Sequence, residues 1–64
     1  MTPTAFKRWL AAMKAAGLAK SDAEALRQLG FSSANTGTNI KRRGGDKVLA
    51  LACTALLHRL PPFE

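Results

Sequence analysis

A chain of 64 residues holds one domain, residues 1–64, near the size at which a single core is only marginally stable, and leaves no room for a catalytic cleft beside its scaffold. Ten Lys and Arg against four Asp and Glu leave a formal charge of +6 and a pI near 10.5, which favours anionic partners, nucleic acid ahead of a membrane surface. Cys53 is the single cysteine, which excludes an internal disulfide or a thiolate metal cluster and points to a reducing cytosol.

At 47% apolar residues the chain is expected to fold into a helical domain rather than remain disordered. It contains no apolar run of the roughly 18 residues that span a bilayer, and its start, Met1, Thr2 and Pro3, lacks the charged and apolar segments of a secretory signal. The expectation is a cytoplasmic protein with no membrane association.

The first helix is predicted over residues 4–16. Thr2 or Thr4 can cap it, and Pro3 is tolerated in the first turn, where its missing N–H would be unsatisfied anyway. Phe6, Leu10 and Met13 recur at i, i+4 and i+7, with Trp9 beside them and Lys7, Arg8 and Lys14 off that face. Gly17 ends the helix and Leu18 folds back on it. Trp9, next to two cations, has a second reading as a stacking platform for a base, but a lone aromatic at helical spacing points to packing.

The second helix is predicted over residues 22–29. Ser21 followed by Glu24 is a capping box, Ala25, Leu26 and Leu29 form an apolar edge, and Gly30 supplies the left-handed residue that ends it. Asp22 and Glu24 sit in its first turn and complement the helix dipole; without a neighbouring histidine they are not a catalytic pair. Phe31 packs back under the turn.

The third helix is predicted over residues 33–43. Residues 32–39 carry almost no large apolar side chain but many hydroxyls and amides, namely Ser32, Ser33, Asn35, Thr36, Thr38 and Asn39. Ser32 or Ser33 can cap the helix and Ile40 can anchor it, while Lys41, Arg42 and Arg43 close it before Gly44 and Gly45 break the chain. The alternative is a hydroxyl-rich surface loop, because Ser, Thr and Asn compete for backbone hydrogen bonds outside helices.

The fourth helix is predicted over residues 46–60, capped by Asp46 and stopped by Pro61 and Pro62. It is apolar nearly all round. Val48, Leu51, Ala52 and Ala55 make one face, and Leu49, Cys53, Leu56, Leu57 and Leu60 make another. So short a chain cannot bury both, so the second face, with Phe63, is expected to meet a second copy of the chain. His58 and Arg59 lie where positive charge complements the dipole.

These features together resemble the helix-turn-helix of the phage repressor and Cro-like (XRE) DNA-binding proteins. The matching residues are Ala25, the run Leu29, Gly30, Phe31 and Ser32, then Thr36, Asn39, Ile40 and Lys41, then Arg43 and Gly44. Residues 51–57 followed by Leu60, Pro61 and Pro62 look like the closing helix of short members. The sequence departs from the family pattern in a turn one residue longer and in Gly37, which stands where an apolar core residue is usual. What the resemblance implies is an all-α compact four-helix bundle of the λ-repressor-like type and a regulator that represses more often than it activates, of the kind phages and mobile elements use.

In that arrangement the start of the third helix enters the major groove. Ser33, Asn35, Thr36, Thr38 and Asn39 are then the candidate base readers, since asparagine can pair in bidentate fashion with adenine and hydroxyls serve either partner. Lys20, Ser21, Lys41, Arg42 and Arg43 are the candidate phosphate contacts. The expected partners are double-stranded DNA and a second copy of the chain as a homodimer, with no cofactor, no metal and no small-molecule substrate. Enzymatic activity is not expected, for the chain offers no nucleophile, paired base or ligand cluster. The competing reading is a helical adaptor or inhibitor that docks through its last helix, and RNA binding ranks behind both for want of stacking aromatics.

Overall fold

The computed structural model describes residues 1–31 and 34–60, and within them the backbone of Ala34 but not its side chain. Among the described residues four helices follow in order: α1 (Pro3–Ala15), α2 (Asp22–Gln28), α3 (Ala34–Arg43) and α4 (Lys47–Leu57). The all-α architecture expected from the sequence is the one observed. Among the described residues no helix is long and apolar enough to cross a membrane.

Helix α1 is the centre of the molecule, packing on each of the other three. Its apolar stripe supplies Phe6, Trp9, Leu10 and Met13, all buried, and Phe6 and Trp9 stack with ring centroids 5.6 Å apart. Ala19, Ala25, Leu26, Ile40, Leu49 and Cys53 complete the core, with Leu18, Leu29 and Phe31 packed against it. Trp9 Nε1 donates a buried hydrogen bond of 2.8 Å to the Cys53 carbonyl, fixing α4 on α1. Trp9 is therefore core, and the base-stacking reading does not hold for it.

The side-chain caps read for three of the helix starts are in place. Thr2 Oγ1 accepts from Ala5 N at 3.1 Å with Pro3 in the first turn, Ser21 Oγ accepts from Glu24 N at 3.2 Å, and Asp46 Oδ1 accepts from Leu49 N at 2.9 Å. Helices α1 and α2 end in the same motif, with Gly17 (φ 74°) and Gly30 (φ 91°) left-handed and Leu18 N and Phe31 N bonding back to Met13 O and Leu26 O. The expected serine cap of α3 lies outside the described residues.

Two expectations about α4 need correction. The helix ends at Leu57, not near Leu60, because Arg59 takes the left-handed conformation (φ 60°) and Leu60 N closes onto Ala55 O at 2.9 Å. The chain leaves the helix before it meets the prolines. The second correction concerns the two apolar faces, which are reversed. Leu49 and Cys53 are buried in the chain's own core, and Leu56 and Leu57 are half-buried against it. Val48, at 72% exposure, and Leu51, at 60%, point outward. A helical wheel shows two apolar faces without saying which turns inward; the Trp9 bond to Cys53 and the entry of the chain through Asp46 settle it. Of the expected dimer contacts only Leu60 is exposed, and Phe63 lies outside the described residues.

Candidate nucleic-acid interface

Helix α3 packs against α1 and α2 and carries the residues expected to read bases. Gly37 and Ile40 are buried and Thr36 and Lys41 are half-buried, so one side of the helix is committed to the interior. Asn35, Thr38, Asn39 and Arg42 are exposed. Their i, i+3, i+4, i+7 spacing makes them a single stripe on the opposite side. Arg43 is exposed at the end of the same helix.

The glycine that departs from the family pattern has a physical reason. A Cβ on residue 37 would overlap Leu26 Cδ1 and come within 3.3 Å of Leu26 Cδ2. The apolar volume that the core needs here is supplied from α2 by Leu26, and α3 approaches closely because position 37 has no side chain.

Behind the stripe sits a cluster of charges that joins three helices. Asp22, in the first turn of α2, accepts from Lys41 Nζ of α3 at 2.8 Å through Oδ2, and Lys14 Nζ of α1 lies 2.9 Å from Oδ1. Hydrogen bonding from Lys41 and then Lys14 holds the Asp22 carboxyl below the usual aspartate range, against a smaller opposing effect of burial. Lys41, expected to grip a phosphate, is thus paired with Asp22, with its side chain still 37% exposed. Arg42 and Arg43 are the exposed cations of α3.

Lys20 and Ser21 are exposed before α2, where Ser21 is occupied as the cap. Gln28 Nε2 donates to Leu18 O at 2.7 Å and ties α2 to the segment that precedes it. Ser33 lies outside the described residues. The fold therefore brings Asn35, Thr38, Asn39, Arg42 and Arg43 onto the exposed side of one helix, and sets Thr36 and Lys41 half-buried toward its neighbours.

Sequence reasoning missed the Asp22 bridge, since it assigned Asp22 to the helix dipole alone. No spacing rule links residues 14, 22 and 41. The reciprocal pairing of Met1 with Gly45, in which the terminal amine donates to Gly45 O at 2.8 Å and Gly45 N donates to Met1 O at 2.9 Å, was likewise without a local signal.

No protein-family model, curated protein or solved structure matches the chain.

Proposed function

We propose that this chain is a small sequence-specific double-stranded DNA-binding protein, a transcriptional regulator of repressor type like those of phages and mobile elements, acting in the cytoplasm. One observation carries the reading: α3 buries Gly37 and Ile40 and offers solvent a stripe of Asn35, Thr38, Asn39 and Arg42. A helix anchored by one apolar edge, with amides and hydroxyls outward and arginines at its end, has the chemistry that a major groove accepts. The charge of +6 supplies the sequence-independent attraction.

Asn35 and Asn39 read adenine edges, Thr38 contributes a hydroxyl or touches a thymine methyl, and Thr36 borders the reading surface from its half-buried position. Arg42, Arg43 and Lys20 bind phosphates, with the field of the Lys41 cluster behind them. Two copies on a palindromic site would place two such helices in successive grooves. Their contact would fall on the outward side of α4, where Val48 and Leu51 remain exposed.

The same two residues favour a second reading, a helical interaction module that docks on a larger protein. Fluorescence anisotropy on random duplex DNA separates the two. A DNA-binding chain loses affinity with salt at a log-log slope of about −0.9 for each phosphate neutralised, and Arg42→Ala weakens all sequences alike and flattens that slope by about one unit. Absence of salt-dependent binding from a folded chain rejects the DNA reading and leaves the docking module.

A further inference from the structure

A groove of about 410 Å3 runs between α1 and α4, away from the reading stripe of α3. Its floor is apolar: Ala5, Trp9 and Ala12 from α1, Cys53 and Leu57 from α4. The side-chain donors on that floor are already used, whereas the Met1 ammonium at its edge spends one of its three N–H groups. The Trp9 N–H is bonded to Cys53 O, the Thr54 hydroxyl donates to Ala50 O at 3.1 Å, and the Met1 amine donates to Gly45 O. What the floor offers a ligand is therefore ring and alkyl surface, with the positive Met1 ammonium at its edge.

The walls differ. Arg8 on α1 and His58, just past the end of α4, both line the groove, both are exposed, and neither side chain has an ion pair or hydrogen bond among the described residues. This contrasts with Lys14 and Lys41, which share Asp22 as a partner. An apolar trough flanked by two nitrogen-bearing side chains that no described residue answers selects a ligand with one anionic group and an apolar body. The volume lies toward the small end of the roughly 300 to 1,000 Å3 of ligand clefts, which suits a fused ring pair or a short alkyl chain rather than a folded peptide.

We propose that this groove binds an amphiphilic organic anion, with its apolar body on Trp9, Ala12 and Leu57 and its carboxylate or sulfonate between Arg8 and His58. The site is separate from the DNA-binding reading and stands or falls without it.

The test is a titration of the full chain with 8-anilinonaphthalene-1-sulfonate and with its uncharged relative N-phenyl-1-naphthylamine, read by energy transfer from Trp9, the single tryptophan. The expected result is saturable one-to-one binding in which the sulfonate binds at least about fivefold more tightly than the neutral compound. Dodecanoate displaces it. Arg8→Glu and His58→Glu each weaken the sulfonate by about fivefold or more and leave the neutral compound unchanged. Lys47→Glu, which alters an exposed cation of α4 outside the groove by the same charge as Arg8→Glu, has little effect on either. Circular dichroism checks that the variants keep their helices, and Arg8→Gln replaces Arg8→Glu if the reversal unfolds the chain. Equal affinity for the charged and neutral compounds, equal weakening by Arg8→Glu and Lys47→Glu, or binding that does not saturate would overturn the proposal.

Discussion

Leu26 of α2 and Gly37 of α3 share one space: the Leu26 side chain occupies the volume that a Cβ at position 37 would need. The two helices that flank the turn are held together through an absent side chain. Replacing Gly37 by leucine overpacks this contact and is expected to cost about 1–3 kcal/mol. Leu26→Ala alone opens a cavity and is expected to cost about 2–5 kcal/mol. Because the two changes compensate in volume, the double variant should lose less than the sum, by about 0.5–3 kcal/mol. Urea unfolding followed by Trp9 fluorescence measures all three, and strict additivity would show that the residues do not compete for the same volume.

Asp22 makes acid sensitivity a local property. Its carboxyl is held below the usual value of 3.8 by Lys41 and Lys14. A lowered folded-state value means that the ion pairs stabilise the protein above the unfolded value and that this stability is lost as pH falls through the lowered one. The side chain is 34% exposed, so water screens it and the total is expected to stay near roughly 1 kcal/mol. Thermal melts between pH 6 and pH 2, a window of about four units around that titration, should show a smaller acid-induced drop in Asp22→Asn than in the parent. Parallel profiles would remove Asp22 from the account.

Arg59 is a non-glycine residue at φ 60°, and it closes α4 in the way that Gly17 and Gly30 close α1 and α2. Relief of the left-handed strain is partly offset by the added freedom of glycine in the unfolded chain, so Arg59→Gly is expected to stabilise by about 0.5–1 kcal/mol. Gly30→Ala moves the other way, by about 1 kcal/mol or more. Chemical denaturation of the pair decides the point, and a destabilising Arg59→Gly would mean that the arginine side chain contributes more than its backbone strain costs.

Cys53 should be chemically quiet. It is 1% exposed, and burial pushes its thiol up to about 11. Its thiolate fraction near pH 8 is then about a hundredfold below that of an unfolded cysteine, and exclusion of the reagent slows reaction further. Disulfide-exchange labelling should proceed at the rate of global opening and accelerate sharply in urea. Trp9→Phe removes the bond that holds α4 to α1 and should cost about 1 kcal/mol while raising that labelling rate. Fast labelling in native buffer would place Cys53 at the surface.

What was legible in the sequence is what local chemistry determines. Thr2, Ser21 and Asp46 mark helix starts because a short oxygen-bearing side chain answers a backbone N–H that nothing else can reach. Gly17 and Gly30 mark ends because the left-handed residue costs least there. The stripe of Phe6, Leu10 and Met13 identified the core face of α1 because Lys7, Arg8 and Lys14 left no other. Helix α4 lacks that contrast. With apolar residues on both sides, its inward face was decided by tertiary contacts, among them Trp9 with Cys53, that no periodicity encodes. The same holds for the site. The outward stripe of α3 could be anticipated from its amides and hydroxyls, whereas the engagement of Lys41 by Asp22 depends on how three helices converge.

The claim on which the functional reading rests is that the exposed stripe of α3 recognises a DNA sequence. Selection of the full chain against a pool of random duplex oligonucleotides tests it most directly, with Asn35→Ala and Asn39→Ala selected in parallel. The account predicts an enriched palindromic motif containing adenines whose preference is lost in the asparagine variants, each base mismatch costing about 1–3 kcal/mol. A pool that emerges unenriched, or a motif that survives unchanged in both variants, would contradict it.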